Sequence, residues 1–124
     1  MKNKSLLSFV IPCYRSELTI ENVVNEIIDA VKNRTEYEII LVNDCSPDNV
    51  ENVIKRICGK NKKVKLISLA RNFGQHAALM AGYSAAKGDI IISLDDDGQT
   101  PADEVFKLID GINKGADVVY ARYQ

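Results

Sequence analysis

The sequence predicts an α/β protein built on a parallel sheet, and three observations carry that prediction. Apolar runs recur at Leu6 to Ile11, Glu38 to Val42, Val64 to Leu69, Asp89 to Leu94 and Asp117 to Tyr120. Amphipathic stretches fill the intervals, and this alternation joins parallel strands through covering helices. The stretch Ile90 to Leu94 suits a strand covered on both faces, as parallel sheets require. At 124 residues the chain is long enough for one core, so residues 1–124 read as a single domain.

Each connecting element has its own signal. After Pro12, the residues Ile20, Val23, Val24, Ile27, Ile28 and Val31 repeat at three- and four-residue spacing, which marks one helix face. Ser16 or Thr19 supplies a capping hydroxyl for it. A second helix is expected to start at Ser46-Pro47-Asp48, where a hydroxyl, a proline and an early acid follow one another, and to end near Gly59. Lys60 to Lys63 then make a polar turn. Arg71-Asn72-Phe73-Gly74 precedes an alanine-rich helix, Gln75 to Ala86, in which Ala77, Ala78, Ala81, Ala85 and Ala86 permit close packing on the sheet. Lys87-Gly88 ends it. A last helix, Asp103 to Lys114, closes with Gly115 ahead of the fifth strand.

Bulk properties exclude several classes. Hydrophobic residues make up 46% and charged residues 27%, with a formal net charge of −1, as in ordinary soluble domains. No dense basic block argues for a nucleic-acid partner or an electrostatic membrane anchor. The start Met1 to Ser5 is basic, but the apolar run after it is short and holds Pro12, which fits a first strand better than a signal peptide. No segment is long enough to span a bilayer. Cys13, Cys45 and Cys58 are odd in number and far apart, which favours reduced thiols in a cytoplasmic setting over disulfides or zinc. His76 is the only histidine, so a histidine-rich metal site is excluded.

Polar residues cluster where strands end. In a right-handed βαβ array, Pro12 to Glu17, Asn43 to Ser46, Ala70 to Gly74 and Asp95 to Gln99 all emerge on one edge. Ligands bind at that edge in open α/β sheets. The three acids Asp95, Asp96 and Asp97 follow an apolar strand, and Gly98 and Pro101 turn the chain outward after them. Residues two apart in an extended segment point the same way, so Asp95 and Asp97 can share one hard divalent ion while Asp96 points elsewhere. The plainer alternative is an acidic turn at a helix start, with Asp103 and Glu104 favouring the helix dipole. A nucleotide fits the joint inventory: Tyr14 offers a flat surface for a base, and Asp44 an acceptor for a ring N–H.

No glycine-rich dinucleotide fingerprint follows the first strand and no Walker-type run occurs, which removes the dehydrogenase and P-loop readings. A phosphoacceptor receiver domain also fails. It carries an acid pair after strand one and an Asp after strand three, where this chain has Cys13-Tyr14 and Ala70-Arg71.

Over nearly its whole length the chain resembles the N-terminal part of an inverting family 2 glycosyltransferase of GT-A type. Within that family it is most similar to the polyprenyl-phosphate branch, typified by dolichol-phosphate mannosyltransferases and undecaprenyl-phosphate sugar transferases. Arg71-Asn-Phe-Gly74 followed by Ala77-Ala78, and Asp95-x-Asp97-x-Gln99-x-Pro101, carry the resemblance. Pro12, Tyr14 and Glu17 match the opening VxPxYNE, with Arg15-Ser16 in place of Asn-Glu. Asn43-Asp44-Cys45-Ser46 stands for DDGS, keeping the second acid and losing the first, a change expected to tune nucleotide preference.

The resemblance implies a Rossmann-like nucleotide-diphospho-sugar transferase fold, truncated after the fifth strand. It implies a nucleotide site at Pro12, Tyr14, Glu17, Asp44, Arg71, Gly74, Asp95 and Asp96, and a Mn2+ or Mg2+ site at Asp95, Asp97 and Gln99. Asp96 takes a position where a small residue is usual, with its side chain free to point into solvent. The implied donor is a UDP- or GDP-linked sugar and the implied acceptor a polyprenyl phosphate, with acceptor-side catalytic residues and any membrane attachment in segments beyond these 124 residues. A non-catalytic nucleotide-recognition module with the same fold is the alternative.

Overall fold

A computed structural model of the chain describes residues 6–96 and 118–120. Its elements run β1 (Leu6–Cys13), α1 (Ile20–Val31), β2 (Glu36–Asn43), α2 (Val50–Lys60), β3 (Val64–Ser68), α3 (Gln75–Ala85), β4 (Ile90–Ser93) and β5 (Val118–Tyr120). All five expected strands form. The expected helix Asp103 to Lys114 lies outside the described residues.

The strands make one sheet in the order β3-β2-β1-β4-β5, and every neighbouring pair is parallel. The chain therefore winds outward from β1 through β2 to β3, then crosses to the other side of β1 for β4. This reversal between β1 and β4 opens a crevice at the carboxyl ends of the two strands.

Alternation along the strands divides the core. Phe9, Ile11, Ile39, Leu41 and Ile92 pack with Ile20, Val24 and Ile27 of α1 and Val50, Ile54 and Ile57 of α2 on one face. Val10, Ile40 and Val42 meet Ala78 on the other, where α3 lies. The face predicted for α1 is the buried one, with Ala30 added and Ile28 only partly buried.

Three local expectations change. The hydroxyl of Thr19, which stands at the start of α1, makes no capping bond to that helix. The second helix begins at Val50 rather than at Ser46-Pro47-Asp48, because Asp48 acts as a turn acceptor, taking the Ser46 hydroxyl at 2.6 Å and the Val50 N–H at 3.2 Å. On α3 the close approach falls to Ala78 and Gly82, while Ala85 is exposed. A Cβ on Gly82 would collide with the Val10 side chain and sit 3.3 Å from Val42 Cγ2, so only a hydrogen fits.

Candidate functional site

A cleft of about 500 Å³ lies at the carboxyl edge of the sheet, lined by Pro12, Cys13, Tyr14, Asp44, Asn72, Gly74, Gln75, Asp95 and Asp96. It draws on the ends of β1, β2 and β4 and on the β3–α3 connection, the four segments expected to converge.

The β1 end is set by Tyr14 and Arg15. Arg15 takes the left-handed conformation at φ 57°, so the chain turns sharply out of the sheet and leaves Tyr14 at the rim, 41% exposed. The Arg15 guanidinium stands 5.5 Å from the Tyr14 ring centroid. Asp96 meets the Tyr14 backbone from the far side of the switch: its Oδ2 accepts the Tyr14 N–H at 2.9 Å, and its carbonyl accepts the Thr19 hydroxyl at 2.7 Å. The Asp96 side chain is thus turned back onto the β1–α1 loop, not out into solvent.

At the end of β2, Asp44 is 4% exposed and accepts two main-chain N–H groups from the β3–α3 connection, Phe73 at 2.8 Å and Gly74 at 2.9 Å. The connection needs this clamp because Gly74, just before α3, adopts φ 97°, a conformation open chiefly to glycine. Asn43 is also buried but does not line the cleft. Its side chain accepts the Ser46 N–H at 3.0 Å and donates to Glu51 at 3.1 Å. The departure from a paired acid at this place therefore has a local role in the hydrogen bonding at the end of β2.

Two residues of the expected nucleotide site do not line the cleft. Glu17 Oε1 accepts the Asn49 N–H at 3.4 Å, its own N–H goes to Asp48 at 3.0 Å, and it is absent from the cleft lining. Ser46 completes this brace between the first two loops by accepting the Arg15 N–H at 2.7 Å. Burial alone would raise the Asp48 carboxyl, but bonds from Ser46 and from the Glu17 and Val50 N–H groups outweigh it and hold Asp48 below the usual range. Arg71 is exposed, with its guanidinium 6.0 Å from the Phe73 ring centroid, and does not line the cleft either.

Sequence reasoning missed Asn72 and Gln75 as lining residues. Asn72 sits inside the Arg71-to-Gly74 motif and was available from it; Gln75 carries no such signal. Cys13 lines the cleft as a neutral thiol, since burial and then the nearby Asp96 carboxylate push it far above its ordinary range.

Asp97 and Gln99 lie outside the described residues. Among the described residues no group of three His, Cys, Asp or Glu side chains is arranged to hold a metal. Asp95 nevertheless brings a carboxylate to the cleft wall. An oxygen donor of that kind suits a hard divalent cation rather than a soft one. No helix among the described residues is long and apolar enough to cross a membrane.

A parallel sheet with a polar crevice at its switch point and carboxylates on two of its strand ends is the nucleotide-diphospho-sugar transferase (GT-A) fold. Residues 8–124 match the family described as Glycosyl transferase family 2, and the chain belongs to that family. It is 38% identical over 116 residues to undecaprenyl-phosphate 4-deoxy-4-formamido-L-arabinose transferase of Aeromonas hydrophila, covering 92% of this chain and 36% of the relative. It is 40% identical to the enzyme of the same name from Photorhabdus laumondii, covering 94% and 36%. The chain thus spans about a third of the length of these curated relatives. Among solved structures, S. aureus TarS in complex with UDP superposes with a TM-score of 0.73 at 23% identity, over 87% of this chain and 32% of that one. GalNAc-T7 with UDP, GalNAc and Mn2+ gives 0.69 at 27% identity, over 78% and 19%.

Proposed function

We propose that the chain forms the donor-binding part of an inverting glycosyltransferase that passes a sugar from a nucleoside diphosphate to a polyprenyl phosphate. The convergence of Tyr14, Asp44, Gly74 and Asp95 from four separate segments on one crevice carries this reading. The names of the Aeromonas and Photorhabdus relatives support the acceptor class. The UDP in the TarS structure and the GDP-Man in that of a Pyrobaculum calidifontis mannosyltransferase support the donor class.

In this reading the Tyr14 ring is the platform for the base. Asp44 holds one main-chain N–H on each carboxylate oxygen and keeps further lone pairs for the ring N–H that uracil and guanine both present. Asp95, with Asp97 and Gln99, would hold Mn2+ or Mg2+. That ion, when bound, neutralises charge on the departing diphosphate. The transfer itself is a single displacement. A phosphate oxygen of the acceptor bonds to the anomeric carbon as the bond from that carbon to the diphosphate oxygen breaks on the opposite face. The attacking oxygen is already anionic, so the step makes little demand for a strong general base.

The test is calorimetric titration of UDP and of GDP into the protein with and without manganese, repeated on a folded Asp95→Asn, Asp97→Asn variant. Manganese-dependent binding of one nucleotide, lost in the variant, is the expected result. Binding that is indifferent to manganese would favour a recognition module without transfer chemistry, and binding of neither nucleotide would remove the donor-site reading.

A further inference from the structure

We infer that Asp96 is a positioning residue that holds the base platform and the cation-side carboxylate of the cleft in fixed register; this rests on the donor-site reading above. On the cleft side of the β1–β4 pair, the Leu94 N–H bonds to the Val10 carbonyl at 3.1 Å. The pairing of β1 with β4 ends at Val10 and Ser93, and the chain takes a left-handed step at Arg15, just after Tyr14. The Tyr14 N–H lies past that paired register and needs an acceptor from outside the ladder. Asp96 Oδ2 supplies one at 2.9 Å, between residues 82 apart in sequence. The Asp96 carbonyl is held in turn by the Thr19 hydroxyl at 2.7 Å, a group that makes no capping bond to its own helix. Two bonds on one residue therefore fasten the end of β4 to both ends of the β1–α1 loop.

The consequence for a ligand is geometric. Tyr14 and Asp95 line the same cleft, and Asp95 is the residue immediately before the fastening. A nucleoside diphosphate presents a base at one end and phosphate oxygens at the other, so it is read only if those two protein groups keep a set separation. Shifts of the order of 1 Å in such placement are enough to lose about a hundredfold in rate. The role differs from that of a metal ligand or of a bare charge, because what Asp96 supplies to Tyr14 is an acceptor oxygen. Asparagine offers the same oxygen without the charge, and alanine offers neither.

The experiment compares Asp96→Ala with Asp96→Asn by thermal unfolding, by amide hydrogen exchange at Tyr14, and by UDP and GDP titration with and without manganese. The expected result is a Tyr14 amide that is protected in the parent and in Asp96→Asn but exchanges freely in Asp96→Ala. Affinity for the preferred nucleotide should fall about tenfold or more in Asp96→Ala, with manganese and without it, and by no more than about threefold in Asp96→Asn. An equal loss in both variants that appears only with manganese would overturn the inference and make Asp96 a cation-side charge. An Asp96→Ala protein that binds as the parent does would also overturn it. A parent protein that binds neither nucleotide would instead overturn the donor-site reading, and this role with it, even with the Tyr14 amide protected.

Discussion

The side-chain amide of Asn43 donates to Glu51 Oε1 at 3.1 Å, and this contact fixes which residue the end of β2 can carry. Asn43 is 5% exposed and its Oδ1 already accepts the Ser46 N–H, so its nitrogen must face Glu51. Glu51 also takes the Ser68 hydroxyl at 2.6 Å. Bonds from Ser68 and Asn43, and then Lys55, hold its carboxyl below the usual range.

An Asn43→Asp substitution would set a second carboxylate against Glu51 and remove the donor between them. A loss of about 1–3 kcal/mol near neutral pH is expected. Glu51→Gln restores a donor at that contact, so the double variant should recover most of the loss. Urea unfolding of all four proteins in a double-mutant cycle measures this, and a coupling energy near zero would separate the two residues.

Cys45 sits at φ 53°, in the left-handed region where a Cβ crowds the backbone. Its thiol donates only a long bond to the Ala70 carbonyl, at 3.8 Å. Cys45→Gly should therefore raise stability by about 0.5–1 kcal/mol, once the greater freedom of glycine in the unfolded chain is set against the strain relieved. The urea midpoint reports the sign. A lower midpoint would show that the thiol's contacts outweigh the backbone strain.

The contrast between these positions shows what the sequence could convey. Strand placement was legible to within two residues, because an apolar run states its own burial, and the helix face of α1 because 3.6-residue spacing is a local property. The start of α2 was not legible. Ser46-Pro47-Asp48 holds the right residue types for a helix start, but Asp48 is drawn into a brace with Glu17 from another loop. Gly82 is similar, since its need for a bare Cα comes from Val10 across the sheet. Of the residues that the motifs named, Pro12, Tyr14, Asp44, Gly74, Asp95 and Asp96 line the cleft, whereas Glu17 and Arg71 do not. Adjacency along a loop does not say which way a side chain turns once the backbone takes a left-handed step. The second function of Asp44, as clamp on Phe73 and Gly74, likewise needed the fold to bring residues 29 and 30 apart into contact.

Glu38, at the opposite end of the sheet from the cleft, predicts how stability depends on acid. Its side chain is 5% exposed and takes the Ser8 hydroxyl at 2.5 Å, the Lys65 ammonium at 2.9 Å and the Lys87 N–H at 2.6 Å. Burial alone would raise its carboxyl, but these three donors outweigh burial and lower it. A carboxyl lowered in the folded state contributes stability that is fully present above its unfolded pKa of about 4.3 and is lost as pH falls through the folded value. The urea midpoint should therefore stay level from about pH 7 to about pH 5.5 and decline below about pH 4.5. Glu38→Gln removes the charge that the Lys65 ammonium faces and puts an NH2 donor where one of the two accepting oxygens stood, against groups that are themselves donors, so a loss of about 1–3 kcal/mol at neutral pH is expected. The gap between parent and variant should then close as acid protonates Glu38 in the parent. Asp48 and Glu51 are also held low, so the variant's acid decline should be shallower rather than absent. Two profiles that run parallel down to about pH 3 would show that Glu38 takes no part in the acid response.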